Sequence, residues 1–289
     1  RRFREDALRI LRTLRFSATL GFAIEPETHR ALRTQCGDLR YVAAERVQEE
    51  LTKLLCGQDA GRVLEEDPQV LGVVLPEILP CVGFDQRNKH HCYDVWEHSA
   101  VAAAPPDPVL RWTMLLHDLG KPQCFTLDEQ GVGHFHGHHR PSAEMAEEIC
   151  RRLRFDKATA QRICLLVRYH DRPIPLTERA IRRAMNQLGV DGLRQLCAVK
   201  RSDNLAQHPD YRGRQQEIDR GEAIMEELLA KDACFSLKQL AVNGQDMMAL
   251  GLQGPAIGKM LQALLDAVMD GVVENERNAL LSLAQTPKN

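Results

Sequence analysis

Apolar residues recur at positions 3, 7, 8, 10, 11, 14 and 16 of the opening stretch, Arg1 to Phe16, the three-to-four spacing of an amphipathic helix. The opposite face carries Arg2, Arg9 and Arg12 with Glu5 and Asp6 between them. Ion pairs one turn apart, such as Glu5–Arg9 and Asp6–Arg9, are expected there. Gly21-Phe22 stops this helix, Pro26-Glu27 opens a short second one to about Thr34, and Ala43 to Leu55 forms a third that ends at Gly57. Residues 59 to 80 read as further short helices broken by Pro68, Pro76 and Pro80. Helical patterns return over Tyr93 to Ala100, Pro108 to Leu116, about Ala143 to Leu153, and Asp156 to His170 with Asp156 as N-cap. Another helix carries Asp203. Between them, Cys124 to Phe135 predicts a short hairpin or extended loop. In the tail, Gly254-Pro255 opens a helix that Gly271 closes, a last amphipathic helix runs to about Ala284, and residues 285–289 are expected to fray. The fold class is all-α, with at most one short β-hairpin near 124–135.

Composition supports this. At 289 residues and 44% hydrophobic, the chain can build a sizeable core, as two domains or as one long multi-lobed helical body. Aromatics make up only 5%, which favours helix over sheet. A net charge of −2 rules out a polycation, so a nucleic-acid surface has to be a local patch. Nine Arg against five acidic residues over positions 1–40 is such a patch, usable by an RNA backbone or by no partner at all. Nine Cys with no CxxC pair read as reduced, buried thiols, and the expected location is cytoplasmic. No apolar run reaches the roughly 18 residues of a membrane span, and no signal peptide is visible. The chain opens at Arg1 in mid-helix pattern without an initiator Met, so a preceding segment is expected in the natural protein.

The chemistry concentrates in the middle. Nine of the eleven His lie between His90 and His170. The apolar run Met114-Leu115-Leu116 ends in His117-Asp118, followed by Gly120-Lys121-Pro122. Adjacent side chains on a helix diverge by about 100°, but at a helix end facing a cleft two neighbours can converge on one metal ion. His98 lies nineteen residues before His117, about what two antiparallel helices need to bring them together. His90 and His91 are expected at the surface.

Arg2-Phe3-Arg4-Glu5-Asp6-Ala7-Leu8-Arg9-Ile10-Leu11-Arg12, then Leu14-Arg15-Phe16 and Leu20-Gly21-Phe22, resembles the neck of bacterial CCA-adding enzymes (tRNA nucleotidyltransferases) and their poly(A) polymerase relatives. The resemblance implies that Glu5, Asp6 and Arg9, with Arg12 beside them, bind the incoming nucleotide, CTP or ATP. A carboxylate accepts from the exocyclic amino group shared by cytosine and adenine, and a guanidinium fork donates to ring acceptors. Leu240 to Gly251 and Gly254 to Leu261 resemble the tail of the same family, which helps hold the tRNA elbow.

Between neck and tail, the order His98, His117-Asp118, His138, His170, Asp203 resembles the HD-domain metal-dependent phosphohydrolases. The resemblance puts the metal ligands at His98, His117, Asp118 and Asp203. His138 and His170 then assist the phosphate or hold a second metal, and Lys121 adds charge for the phosphate. His138 is chosen over His134, His136 and His139 because Gly137-His138-x-x-x-Ser142-Ala143 matches the family segment. Imidazole and carboxylate suit Mg, Mn, Ni, Fe, Co or Zn. The implied organisation is a neck and body over 1–86, an inserted HD domain over 87–232, and a tRNA-contacting tail over 233–289. The family's catalytic head, a small sheet with paired Asp residues, has no counterpart in the pattern, so the chain as it stands is not expected to transfer nucleotides by itself. Two other readings compete: a free-standing HD nucleotidase, and a non-enzymatic RNA-binding helical scaffold.

Overall fold

Asp6 interrupts what periodicity alone makes one helix. In the computed structural model, which describes residues 2–102 and 105–286, α1 is Arg2–Glu5 and α2 is Leu8–Leu20. The Asp6 carboxylate accepts from the Leu8 N–H at 3.1 Å, taking a first-turn donor as a cap does, and the helix restarts there. Gly21 closes α2 with φ at 71°, its N–H bonded to the Ser17 carbonyl.

Then follow α3 (Pro26–Gln35), α4 (Ala44–Leu55), α5 (Ala60–Glu66) and α6 (Pro68–Leu71). Pro76 and Pro80 both lie in a short 3₁₀ stretch, Pro76–Cys81. Next come α7 (Val95–Val101), α8 (Pro108–Leu116) and α9 (Lys121–Cys124). The hairpin is two residues a side, β1 (Thr126–Leu127) against β2 (Gly133–His134), antiparallel with Thr126 opposite His134. α10 (His139–Arg152) starts four residues before the sequence pattern suggests. Pro141 is tolerated in its first turn, where the N–H it lacks has no intrahelical partner. The Asp156 side chain caps α11 (Lys157–Tyr169) through the Thr159 N–H at 3.0 Å. The chain continues through α12 (Glu178–Leu188), α13 (Val190–Leu205), α14 (Gln215–Ala230), α15 (Gly244–Ala249), α16 (Pro255–Met269) and α17 (Arg277–Gln285). The all-α expectation with one small hairpin holds. Of the stretch expected to fray, residues 287–289 lie outside the described residues.

The chain divides into two compact units. The first comprises residues 1–172 and 195–215, the second residues 173–194 and 216–289. In the first, α2 packs on α4 and α5, α4 on α8, α8 on α11, and α11 on α10. One apolar core runs from Leu8 to Val167. Trp96 and Trp112 sit inside it and satisfy their indole N–H groups, on the Leu64 carbonyl at 3.0 Å and the Thr52 hydroxyl at 2.8 Å. In the second unit, Met247, Leu264, Leu265 and Leu280 centre a smaller core. There Asp270 receives both Arg179 and Arg183 from α12, each at 2.7–2.8 Å.

All nine Cys are free thiols. Only Cys81, Cys150 and Cys234 are buried and Cys92 is exposed, which corrects the expectation of uniformly buried thiols. Among the described residues no helix is long and apolar enough to cross a membrane.

Candidate metal centre

Four helix ends and one helix face deliver the polar cluster. His117 caps the C-terminus of α8, and Asp118 follows in the turn that leads to α9. His138 precedes α10 and His170 ends α11, so packing these two helices side by side brings the two rings together, Nε2 to Nε2 at 3.0 Å. His98 comes from α7 and Asp203 from α13. His98, His117, Asp118, His138 and His170 are all buried, while the Asp203 side chain keeps 22% exposure.

The carboxylates bridge the rings. Asp203 Oδ1 lies 2.9 Å from His98 Nε2 and 3.7 Å from His117 Nε2. Asp118 Oδ2 lies 3.2 Å from His117 Nε2 and 3.7 Å from His98 Nε2, while its Oδ1 lies 3.1 Å from His138 Nε2 and 3.7 Å from His170 Nε2. Asp118 is thus common to two triads close enough to ligate, His98–His117–Asp118 and Asp118–His138–His170.

The residues fit a divalent metal. His117 Nδ1 donates to the Met114 carbonyl at 2.7 Å, His138 Nδ1 to Phe135 at 2.9 Å, and His170 Nδ1 to Val167 at 2.7 Å. A carbonyl only accepts, so each Nδ1 carries the proton and Nε2 of the neutral ring is left with its lone pair. His117 Nε2 is buried without an aligned hydrogen bond. An orphaned buried atom is costly unless something else satisfies it. All donors are nitrogen or oxygen, which suits Mg, Mn, Fe, Co, Ni or Zn.

Without a metal, protons perform the neutralisation. Burial acts to lower the His117 pKa, but Asp118 and Asp203 outweigh it and raise the ring to about 10. Burial acts to raise the two carboxyls, and the neighbouring imidazoles outweigh it and hold Asp118 and Asp203 well below the usual carboxylate range. Burial lowers His170.

Lys121 is buried, its ammonium 2.7 Å from Asp118 Oδ2 and donating to Gln86 Oε1 at 2.9 Å. It lines a cavity of about 220 Å³ beside Asp118, His138, His170 and Asp203. Gly120 makes this approach possible: a Cβ there would meet the His138 carbonyl oxygen at 2.5 Å. Its N–H donates to Ser142 Oγ at 2.9 Å.

Of the four histidines in the ambiguous stretch, His138 stands in the cluster. His134 pairs with Asp128 at 2.8 Å instead, and His136 stacks on His134 at the cavity rim. His91, expected at the surface, is a correction: it lines the cavity, its ring edge-on to His98 with centroids 5.4 Å apart. Burial, with Lys121 and His98, lowers its pKa to about 3. Gln207 and Arg214 also line the cavity. The single available signal was the doublet His90-His91, in which one ring stays outside against Tyr211 at 4.0 Å.

The nucleotide-binding candidates lie on and between α1 and α2. Arg9 pairs with Glu5 at 3.3 Å and donates to the Arg2 carbonyl at 3.0 Å. Asp6 does not meet Arg9 but faces Arg46 at 3.8 Å, because its other oxygen caps α2. Arg12 and Arg15 both bind Glu50 of α4, at 3.0 and 2.8 Å. Glu5 and Arg9 stay more than 40% exposed.

Residues 21–80 match the family described as the probable RNA and SrmB-binding site of polymerase A, and residues 137–284 match tRNA nucleotidyltransferase domain 2. An A-adding tRNA nucleotidyltransferase from Deinococcus radiodurans is 35% identical, over 96% of this chain and 67% of its own length. A CC-adding tRNA nucleotidyltransferase from Thermus thermophilus is also 35% identical, over 95% and 65%. A crystal structure of the Bacillus stearothermophilus CCA-adding enzyme in complex with CTP superposes with a TM-score of 0.64 at 24% identity, over 98% of this chain and 62% of that one, a likeness of fold. The chain spans about two thirds of the length of these relatives.

Proposed function

We propose, for a chain that belongs to the tRNA nucleotidyltransferase family, that it serves tRNA 3′-end processing in two capacities. Residues 1–86 and 233–289 hold the tRNA and the incoming nucleotide. Residues 87–232 form an HD-type domain that hydrolyses phosphate esters with a divalent metal, such as a 2′,3′-cyclic phosphate or a 2′-phosphate at an RNA end. For the parent protein the reading is addition of nucleotides from CTP or ATP.

The observation that carries the hydrolytic part is the buried convergence of imidazole and carboxylate atoms within ligating distance of one another, with His117 Nε2 left without an aligned hydrogen bond. His98, His117, Asp118 and Asp203 would hold the metal. When bound, it supplies a water of lowered pKa and neutralises phosphate oxygens. Lys121 holds a positive charge on the cavity wall. His138 and His170 form the second triad with Asp118 and would hydrogen-bond an entering phosphate oxygen or ligate a second ion. Burial of the cluster excludes bulk water, which strengthens each of these interactions.

The nucleotide part rests on family membership and on the exposed Glu5 and Arg9. Asp6, Arg9 and Arg12 pair with Arg46, Glu5 and Glu50 and keep 30%, 42% and 44% side-chain exposure, which leaves them accessible to a nucleotide.

The test incubates purified protein with Mn²⁺, Ni²⁺ or Mg²⁺ and an RNA oligonucleotide ending in a 2′,3′-cyclic phosphate. Metal-dependent opening that His117→Ala abolishes is expected. No cleavage with any of the three metals, on this RNA, a nucleoside 2′-phosphate or a generic phosphodiester, contradicts the hydrolytic reading. In parallel, filter binding of tRNA should weaken steeply with salt.

A further inference from the structure

Two cations and three carboxylates line the cavity, and they are not equally committed. Lys121 is already taken by Asp118 and Gln86. Arg214 lines the same cavity, and its guanidinium makes no hydrogen bond or ion pair among the described residues. His91 lines it too, with a buried Nδ1 that has no hydrogen-bond partner. An uncommitted guanidinium and an unsatisfied imidazole facing one polar cavity are what an anionic ligand would complete.

These two residues come from outside the metal-bearing helices, on segments locked to each other. The His208 N–H donates to the His90 carbonyl at 2.9 Å. The His90 and Tyr211 ring centroids lie 4.0 Å apart, and the Lys89 ammonium lies 5.8 Å from the Tyr211 ring. Asn204, buried directly after Asp203, donates to the Tyr211 carbonyl at 3.0 Å and accepts from Gln215 Nε2 at 2.9 Å. The segment carrying Arg214 is therefore tied to Asp203 on one side and to the His90-His91 strand of chain on the other. The doublet divides its labour: His90 holds the wall from outside and His91 faces in.

We infer that His91 and Arg214 form a phosphate-binding rim over the metal cavity that seats the phosphate of the ester to be cleaved. This rests on the metal-dependent hydrolysis proposed above for the same cavity. Arg214 supplies a bidentate fork for two phosphate oxygens, and His91 a single directional bond. Asp171 also lines the cavity, and Arg214 offsets its charge beside an incoming anion. The two are positioning residues: they hold the phosphate, while the cluster around Asp118 faces the reacting centre.

The experiment measures binding and turnover separately. Protein loaded with Mn²⁺ is titrated calorimetrically with inorganic phosphate and with adenosine 2′-monophosphate, for the unaltered chain, Arg214→Met, His91→Gln, and the exposed control Arg140→Met. Arg214 is exposed, so its truncation leaves the fold intact. The nucleotide should bind about tenfold more weakly to Arg214→Met and to His91→Gln, the loss of one charge-assisted bond, with Mn²⁺ stoichiometry unchanged and Arg140→Met unaffected. Where turnover is measurable, KM rises and kcat holds. Equal affinities across all four proteins, absence of binding to the unaltered chain, or loss of binding only together with loss of Mn²⁺ would overturn the rim. Turnover that persists with unchanged KM in both variants refutes the rim and leaves the hydrolytic reading standing. Rim-dependent binding without turnover does the opposite.

Discussion

His98 Nε2 lies 2.9 Å from Asp203 Oδ1, across 105 residues of sequence. The pairing joins α7 and α13 at one half-buried point of the cluster. A partner supplied from so far along the chain makes the cluster depend on the tertiary fold rather than on the His117-Asp118 dipeptide. Asp203→Asn or His98→Ala should therefore weaken metal binding by at least about tenfold. Added Zn²⁺ or Mn²⁺ should raise the melting temperature of the unaltered protein and of neither variant, because only ligands of the folded state stabilise it. Differential scanning fluorimetry with and without chelator reads this directly.

Stability of the metal-free protein should pass through a maximum near pH 6.5. His117 is raised in the folded state to about 10. Its contribution is complete below the unfolded value of about 6.5 and is lost as pH climbs toward 10. Asp118 and Asp203 are lowered, so theirs is present above the unfolded carboxyl value and lost as pH falls below it. His91, lowered to about 3, and His170, also lowered, contribute above the unfolded value and add to the loss on acidification. Chemical denaturation between pH 4 and 10 checks the shape. With His117→Gln the alkaline decline should disappear. Metal binding has to displace the His117 proton, so affinity should rise from pH 6 to 9 with proton release visible in buffers of different ionisation enthalpy.

Gly120→Ala tests the closeness of the metal loop to α10. The added methyl meets the His138 carbonyl oxygen at 2.5 Å and the Ser142 nitrogen at 2.8 Å, both backbone atoms that cannot rotate away. A loss of about 1–3 kcal/mol is expected from overpacking, together with weaker metal binding, because His117-Asp118 and His138 are pushed apart. Gly131→Ala, on the hairpin loop with open space around it, should leave metal binding unchanged.

Glu50 is 5% exposed and receives both Arg12 and Arg15. Glu50→Ala leaves two guanidinium groups without their shared acceptor and should cost roughly 2 kcal/mol in urea denaturation. If Arg12 takes part in nucleotide binding, CTP affinity should drop in the same variant. Glu49→Ala, whose partner Lys53 is exposed on the same helix, should change neither.

Much of this was legible in the sequence. Helical periodicity located α4, α8, α11 and α16 within a residue or two, because each buries one continuous apolar stripe. The spacing of His98, His117-Asp118, His138, His170 and Asp203 anticipated side chains that the fold does bring together. What escaped was set by polar detail rather than by periodicity. The Asp6 side chain breaks the opening helix by capping the next one, although Phe3, Leu8 and Leu11 keep the stripe unbroken. The helical pattern suggested a start for α10 near Ala143, and Pro141 fits the earlier start because a proline is tolerated in a first turn. His91 and Arg214 carry no periodic or motif signal, since their place depends on the backbone bond from His208 to His90. The two-unit division, with α13 shared between units, is likewise invisible in a pattern that shows only one amphipathic helix.

The most direct test of the central claim is an anomalous difference map from a crystal grown with Mn²⁺ or Zn²⁺. The account predicts a peak roughly 2 Å from His98 Nε2, His117 Nε2, one Asp118 oxygen and one Asp203 oxygen. A peak bound elsewhere, or none at saturating metal with these four side chains ordered, would contradict it.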